Sequence, residues 1–547
     1  MGRQGARSIA LDATGIVLIS LLAVVLSGFV ARVTRLPLPL VQIALGAAIP
    51  LSSLTSVVLD PEVFFLLFLP PMLFLDGWRI PKDVLFRDAW AILRLALGLV
   101  IFTVLGMGWF IHWLIPAMPL AVAFALAAVI SPTDPIAVSD IAARSPIPRR
   151  LMHILQGESL LNDASGLVCM RFAVAAALTG SFSLGQAVGT FLWVTLSGLA
   201  MGTGVTLLVA RTTSWVSARF GEDGGAQILV TLLIPFGVYL LAEQVHGSGI
   251  LAAVAAGVTM SFTDIWPWRA ATRLRRTAVW DLMQFAANGS IFVLLGEQIP
   301  ALVAAAPQTV RLTAHEAPGW LAVYVGVILL GLAALRFVWV WASLWLTFPG
   351  RGGLWTGWRV VLVMSLAGVR GAVTLAGVLT LPVLLASGEA FPARDLAISL
   401  AAGVIVLSLV LASVALPATL RGLRLPAEPS LQVAEDGVRR AAAEVAVQAI
   451  EAAQRVLAEG HADAYRVADA AQRIIDLYRP RIARYGDDEA TSTRRAEVDE
   501  LERRFRLVGL RAERAEVLRV GRERGLGDVV LGKIVRELDH LEARYGG

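Results

Sequence analysis

Charged side chains are scarce in this chain of 547 residues, in which Asp, Glu, Lys and Arg together make up 16%. Soluble domains carry about a quarter. Hydrophobic residues reach 57% and the mean hydropathy is +0.70. So much apolar surface excludes an ordinary soluble protein, because it needs lipid to cover it. The composition therefore predicts a polytopic membrane protein that is in contact with membrane lipid.

Cysteine is almost missing, since Cys169 is the only one in the sequence. A single cysteine excludes an internal disulfide and a cysteine-built metal site. The net charge of +5 is small, and the arginines are scattered rather than gathered in runs, which argues against a nucleic-acid partner. No Walker-type glycine loop occurs, so we expect neither ATP nor a redox cofactor.

Apolar segments long enough to cross a membrane recur from residue 13 to residue 420, and a 19-residue window separates about thirteen. The first lacks a well-placed cleavage site, so we interpret it as a span and not a signal peptide. Loops rich in arginine alternate with loops poor in it. Because cytoplasmic loops carry the excess of Arg and Lys, the N-terminus is predicted outside and the C-terminus inside. Termini on opposite sides of the membrane require an odd number of spans, which agrees with thirteen.

Two of the predicted spans are interrupted in the middle. The fifth contains SPTDP at residues 131–135, where two prolines remove backbone hydrogen bonds, and the twelfth contains GVRG at residues 368–371. If the seventh span is a linker, two units of six remain and each is broken at its fifth span. Matching breaks in two halves are typical of inverted-repeat transporters with a binding site at the membrane midplane.

The sixth span, at residues 151–178, carries polar groups in an apolar stretch. Glu158, Ser159, Asn162 and Asp163 fall on one helical face. A charge at the bilayer centre costs about 2.5–3.5 kcal/mol by insertion scales, so this face must meet protein or a water-filled cavity. Arg171, further along the same span, is interpreted as a snorkelling or helix-packing residue.

Asp163 has two interpretations, a structural ion-pair partner or a binding group. Ser159 one turn away and Asp134 on the preceding broken span favour binding, because carboxylate, hydroxyl and freed carbonyl oxygens suit a hard monovalent cation. The same carboxylate can bind a proton instead. Protons and cations would then compete for one site.

Three further charged residues keep more than one interpretation. Asp134 and Arg370 would either offset the partial charges of the half-helix ends or ligate an ion directly. Arg370 is also a candidate partner for Glu158, because a buried Arg needs an anion. Asp76 either caps its helix or, if the Pro-Pro pair at residues 70–71 bends the third span inward, supplies another oxygen ligand.

From Pro426 onward the composition changes to Ala, Glu and Arg, and apolar residues recur at helical spacing. Residues 426–547 are therefore predicted to form a cytoplasmic α-helical tail. Packing or dimerisation is one role for such a tail. Regulation of residues 1–425 through an unknown ligand is the other.

Five segments carry a resemblance to a known family. They are FLPPMLFLDG (68–77), ISPTDPIAV (130–138), GESLLNDASGLV (157–168), GSGILAAVAAG (247–257) and LAGVRGAVTLA (366–376). In this order they resemble the signatures of the monovalent cation:proton antiporters, which include bacterial NhaP-type and animal sodium/proton exchangers. The resemblance covers about residues 11–425 and leaves the tail out.

The resemblance implies roles for the matching residues. Asp163 would bind cation and proton in turn. Asp76, Thr133 and Ser159 would help Asp163 to coordinate Na⁺, with Asp134 acting beside the ion, directly or through water.

The same resemblance implies the surroundings of the site. Asn162 next to Asp163 matches the Asn-Asp form of the motif, which is associated with electroneutral one-for-one exchange. Glu158 and Arg370 would form a supporting ion pair. The family also implies a homodimer in which a six-span core moves against a dimerisation domain.

The sequence thus predicts an all-α membrane protein with about 13 transmembrane helices in two inverted six-helix repeats, broken at helices 5 and 12. It would be a secondary antiporter of Na⁺ or Li⁺ against H⁺ in a bacterial cytoplasmic membrane, serving pH and sodium homeostasis, and not an enzyme. K⁺ is the alternative substrate. Remoter alternatives are a cation channel and an intramembrane aspartyl protease with Asp134 and Asp163 as its dyad.

Overall fold

The structure is a computed structural model, and it describes most of the chain. The described residues are 2–51, 61–80, 94–134, 138, 149–179, 184–263, 270–311, 313, 317–347, 357–385, 388–421, 431–460, 464–483, 489–523, 534–535, 537–539 and 541–542. They fall into two compact units, Met1–Leu425 and Pro426–Gly547.

The first unit is built from fourteen described helices. They are α1 Gly2–Thr34, α2 Leu38–Leu51, α3 Pro61–Arg79, α4 Leu99–Leu114, α5 Leu120–Ile130, α6 Arg149–Thr179, α7 Leu184–Phe220, α8 Gly224–Gln244, α9 Gly249–Thr263, α10 Ala270–Arg311, α11 Gly319–Thr347, α12 Trp358–Leu366, α13 Ala372–Leu379 and α14 Arg394–Leu420. A short π-helical stretch, Arg94–Gly98, precedes α4. Among the described residues, the β-type pairing is an isolated bridge between Leu384 and Ala390.

Six of the described helices are long and apolar enough to cross a membrane. The segments are Val17–Thr34, Gly189–Phe220, Gly224–Gln244, Thr272–Arg311, Gly319–Trp345 and Arg394–Leu420. Shorter apolar helices, such as Leu120–Ile130 and Gly249–Thr263, lie between them. The all-helical prediction is confirmed for the described residues, whereas thirteen spans and two inverted repeats stay predictions.

Both predicted interruptions are present. Helix α5 ends at Ile130 and residues 131–134 are not helical, while residues 135–137 and 139–148, which include most of the remainder of the fifth span, lie outside the described residues. Residues 367–371 separate α12 from α13. A proline in a helix interior removes a backbone hydrogen bond, and glycine weakens a helix by about 1 kcal/mol relative to alanine. The residues at each break account for its position.

Small residues fix the position of α3, which carries Asp76. A Cβ atom added to Gly257 of α9 would lie 2.0 Å from the carbonyl oxygen of Phe74, and one added to Gly77 would lie 2.7 Å from that of Val254. The backbones of α3 and α9 are therefore in direct contact at these glycines, where a larger side chain would not fit. Small residues allow the same close approach in other pairs of membrane helices. Close packing places α3 against the centre of the unit.

The second unit contains α15 Leu431–Gly460, α16 Ala464–Ala483 and α17 Glu489–Glu523. Charged pairs one turn apart, such as Arg440 and Glu444 at 2.7 Å, lie along these helices. The Arg514 guanidinium also reaches Asp539 at 2.5 Å, which ties the segment after α17 to that helix. A helical second unit agrees with the amphipathic pattern of the sequence.

Candidate ion-binding site

The two interrupted spans meet at their breaks. The backbone N–H of Asp134 donates to the carbonyl oxygen of Val369 at 2.7 Å. Next to it, a Cβ atom added to Gly371 would lie 1.8 Å from a carboxylate oxygen of Asp134. Glycine is the one residue that leaves room for this crossing, which explains the second glycine of the GVRG segment.

Arg370 lies at the crossing and binds backbone carbonyl groups. Its Nε donates to the carbonyl oxygen of Ile130 at 2.8 Å, and its guanidinium also donates to the carbonyl oxygen of Gly368. Ile130 is the last residue of α5, and Gly368 lies just beyond the end of α12. A cation is favourable at helix C-termini, where unpaired carbonyl groups concentrate negative charge. These contacts are those expected if Arg370 offsets the partial charges of the half-helix ends, one of the three roles that the sequence left open.

The predicted ion pair between Glu158 and Arg370 is wrong. Glu158 is fully buried, and both of its carboxylate oxygens are bound by Arg336 of α11, at 2.6 and 2.8 Å. Arg336 also donates through Nε to the carbonyl oxygen of Met364 at 3.0 Å. A two-point contact of this kind is the strongest form of Arg–carboxylate pairing. Helix α11 supplies the partner because it packs beside α12, where Gly368 leaves space for the Arg336 side chain.

Sequence reasoning missed Arg336 altogether, although a signal was present. It is the one charged residue of α11, a helix of 29 residues that is otherwise apolar or uncharged. An ionisable residue inside a membrane span is by default a functional or structural site. Arg336 meets this criterion in the same way as Asp163.

Thr133 joins the broken span to this ion pair. Its hydroxyl donates to Glu158 at 3.1 Å and accepts from the Asn162 amide at 3.0 Å. Thr133 and Asn162 are nearly fully buried. The hydroxyl oxygen keeps one further lone pair, which a cation can use. Asn162 therefore has a positioning contact that a second carboxylate at its place would lack.

The five predicted ion-binding residues all line one cavity. Asp76 comes from α3, Thr133 and Asp134 from the break after α5, and Ser159 and Asp163 from α6. The cavity has room for about 20 Å³, enough for one occupant the size of a water molecule. Asp163 is only 8% exposed. Three carboxylates and two hydroxyls around so small a space make it attractive to a cation and repellent to an anion.

The side chains as they stand do not form a tight metal cage. Among the described residues, no three acidic, His or Cys side chains lie close enough together to hold a metal ion. What the structure shows is a shared cavity for Asp76, Asp134 and Asp163. Coordination of Na⁺ by these groups stays a prediction.

Comparison with known proteins places this geometry in context. Residues 17–422 match the family model described as sodium/hydrogen exchanger, transmembrane. An uncharacterised Na⁺/H⁺ exchanger of Escherichia coli, YjcE, is 41% identical over 96% of this chain and 98% of its own length. A sodium, potassium, lithium and rubidium/H⁺ antiporter of Bacillus subtilis is 41% identical over 74% of this chain and 60% of its own length.

A solved structure shares the fold. The sodium proton antiporter MjNhaP1 of Methanocaldococcus jannaschii superposes with a TM-score of 0.57, covering 76% of this chain and 99% of its own, at 18% identity. These relatives are named as transporters and not as enzymes, which supports a transport protein that crosses the membrane several times. The match over residues 17–422 and the identity over almost the full length together show that the chain belongs to the transmembrane sodium/hydrogen exchanger family.

Proposed function

We propose that this protein is a secondary active antiporter that exchanges Na⁺ or Li⁺ for H⁺ by alternating access. The observation that carries the proposal is the small cavity at the crossing of two broken helices, lined by Asp76, Asp134 and Asp163 together with Thr133 and Ser159. Family membership supports the class of reaction. A carrier with one shared site binds either the cation or the proton, so it couples their movements in opposite directions.

The surrounding charges favour Asp163 as the group that alternates between cation and proton. Glu158 forms an ion pair with Arg336. Arg370 binds the carbonyl groups at the half-helix ends, so both Glu158 and Arg370 already have partners of opposite charge or partial charge. The neighbour of Asp163 in the sequence is the neutral Asn162, held by Thr133. One titrating group at this pair supports electroneutral exchange of one cation for one proton.

K⁺ is a second candidate substrate. The Bacillus subtilis relative is named as an antiporter of sodium, potassium, lithium and rubidium, and it shares 41% of its residues with this chain over the matched region. Oxygen ligands alone do not separate Na⁺ from K⁺, because selectivity depends on the size and rigidity of the cavity. The mechanism would be the same with either ion.

Purified protein in liposomes with an imposed pH gradient tests the function. We expect Na⁺ and Li⁺ to dissipate the gradient, and we expect the rate to be unchanged when the membrane potential is clamped without K⁺. Protein-free liposomes control for leak. If only K⁺ dissipates the gradient, the substrate is K⁺ in place of Na⁺ and Li⁺, and the mechanism is unchanged. Absence of exchange with every cation would contradict the proposal.

The setting of the protein follows from the same proposal. We place it in the cytoplasmic membrane of a bacterium as a homodimer, with the N-terminus outside and the second unit in the cytoplasm. The arginines near the ends of α1, α3 and α7, Arg32, Arg79 and Arg219, support this orientation because cytoplasmic ends collect positive charge. Labelling of single introduced cysteines from one side of the membrane would test it.

Removing residues 426–547 is expected to leave exchange in place and to alter its pH dependence or the stability of the protein. The physical reason is that Met1–Leu425 is a compact unit by itself and holds every residue of the candidate site. Exchange rates from pH 6 to 9 and a thermal melt of both forms would measure the change. Complete loss of exchange in a truncated protein that still inserts would give the tail an obligatory role.

A further inference from the structure

A second and larger cavity lies near the candidate site. Its volume is about 560 Å³, and helices α3, α6, α8 and α9 together with the end of α13 line it. Leu66 and Leu167 line the large cavity. Leu66 lies three residues before Leu69 on α3, and Leu167 lies one turn after Asp163 on α6. Leu69 and Asp163 line the smaller cavity. The large cavity is therefore stacked on the small one, toward the end of α6.

One ion pair stands among the residues that line the large cavity. Arg171 of α6 binds Glu243 of α8 at 3.0 Å, and their side chains are 48% and 33% exposed. The other described lining residues are uncharged. Since α6 and α8 bring these two charges together beside the open space, the pair sets the electrostatic potential there.

The two partners are held differently. Glu243 also accepts from the backbone N–H of Gly249, at the start of α9, at 3.2 Å. The turn around it is anchored on α7, because Ser248 donates through its backbone N–H to the carbonyl oxygen of Val194 at 3.0 Å. Arg171 belongs to α6, the helix that carries Asp163. The anion thus lies in the last turn of α8 and is braced by the turn that follows, whereas the cation lies on the helix of the ion site.

We propose that Arg171 and Glu243 form an electrostatic filter for cations that reach Asp163 through this cavity. The Glu243 carboxylate draws cations in and the Arg171 guanidinium opposes them. This inference rests on the proposed antiport function and assigns the large cavity as the entry path from the membrane face at which α6 ends. Each charge alone shifts how much cation is needed on that face, the two act in opposite directions, and the chemistry at Asp163 does not depend on them.

The size of the effect follows from the spacing along α6. Arg171 lies eight residues beyond Asp163, which is about 12 Å of helix. A unit charge at that distance changes the affinity for a monovalent cation by about two- to tenfold, according to how far water screens it. Exposed charges interact less at high ionic strength, so the effect has to shrink as inert salt is added.

Two single substitutions distinguish a filter from a structural contact, because a filter predicts opposite results. Glu243→Gln is expected to raise the apparent KM for Na⁺ by about two- to tenfold, and Arg171→Gln to lower it by a similar factor. The double variant is expected near the wild-type KM, with the maximal rate at saturating Na⁺ preserved in all three. The changes appear only when Na⁺ is supplied at one face, which right-side-out and inside-out vesicles separate.

The measurement is the apparent KM for Na⁺ of the full-length protein at low and high concentrations of choline chloride. Asp395→Asn, at a side chain that is 78% exposed and outside this cavity, is the matched control and should change nothing. Shifts of the same sign in both single variants, or equal shifts at both faces, would overturn the filter. If the wild-type protein exchanges no cation, the proposed function itself has failed and not the filter alone.

Discussion

Replacing Asp163 with Asn is expected to reduce cation/proton exchange to the background of protein-free liposomes. Asn has nearly the same shape, but it holds no negative charge and exchanges no proton. The pH-gradient assay with Na⁺ and Li⁺ measures the loss. Because Asp163 lies among Asp76 and Asp134 in one cavity, removing its charge relieves repulsion, and the thermal stability should stay equal or rise.

The matched control is Asp395→Asn, the same chemical change at an exposed side chain in the first turn of α14. It should keep both exchange and stability. Size-exclusion chromatography and a melting curve show whether each variant is folded. Transport that persists in a folded Asp163→Asn protein would contradict the assignment of Asp163 as the exchanging group.

Replacing Arg336 with Met is expected to give the largest loss of stability, about 3–5 kcal/mol, because it leaves the Glu158 carboxylate buried without its cation. Both Glu158 oxygens are bound by Arg336, and neither side chain is more than 2% exposed. Exchange should fall as well, since the hydroxyl of Thr133 is oriented by Glu158. Denaturant unfolding in detergent, followed by tryptophan fluorescence, would measure the stability.

A double variant separates charge from packing. Glu158→Gln together with Arg336→Met should recover most of the lost stability, because no uncompensated charge remains. Arg171→Met removes a half-exposed partner instead and should cost at most about 1 kcal/mol. If the double variant is as unstable as Arg336→Met, the packing of Arg336 beside α12 matters more than its charge.

The two buried arginines near the site perform different tasks, and their contacts explain why both are needed. Arg336 neutralises a carboxylate, while Arg370 neutralises the ends of α5 and α12. The Glu158 carboxylate and the carbonyl groups at these two helix ends therefore each have their own positive partner. Asp76, Asp134 and Asp163 line the cavity in which a cation and a proton would compete.

Local pattern determined most of the candidate site. Two prolines around Asp134 and two glycines around Arg370 predicted the breaks, because such residues disturb a helix wherever it lies. The spacing of Ser159 and Asp163 predicted a shared face, because 3.6 residues per turn holds in any helix. The motif resemblance added Thr133 and favoured Asp76 as a ligand over a helix cap, and all five side chains line one cavity.

What the sequence by itself determined were features that depend on neighbours along the chain: the helices, their interruptions and the face on which polar groups lie. Tertiary structure alone decided which buried cation binds which buried anion. Arg336 and Arg370 are both isolated arginines in apolar spans, and Glu158 is 178 residues from one and 212 from the other. Only the packing of α11 beside α12 brings Arg336 to Glu158, because pairing in a low-dielectric interior follows contact distance and not order along the chain.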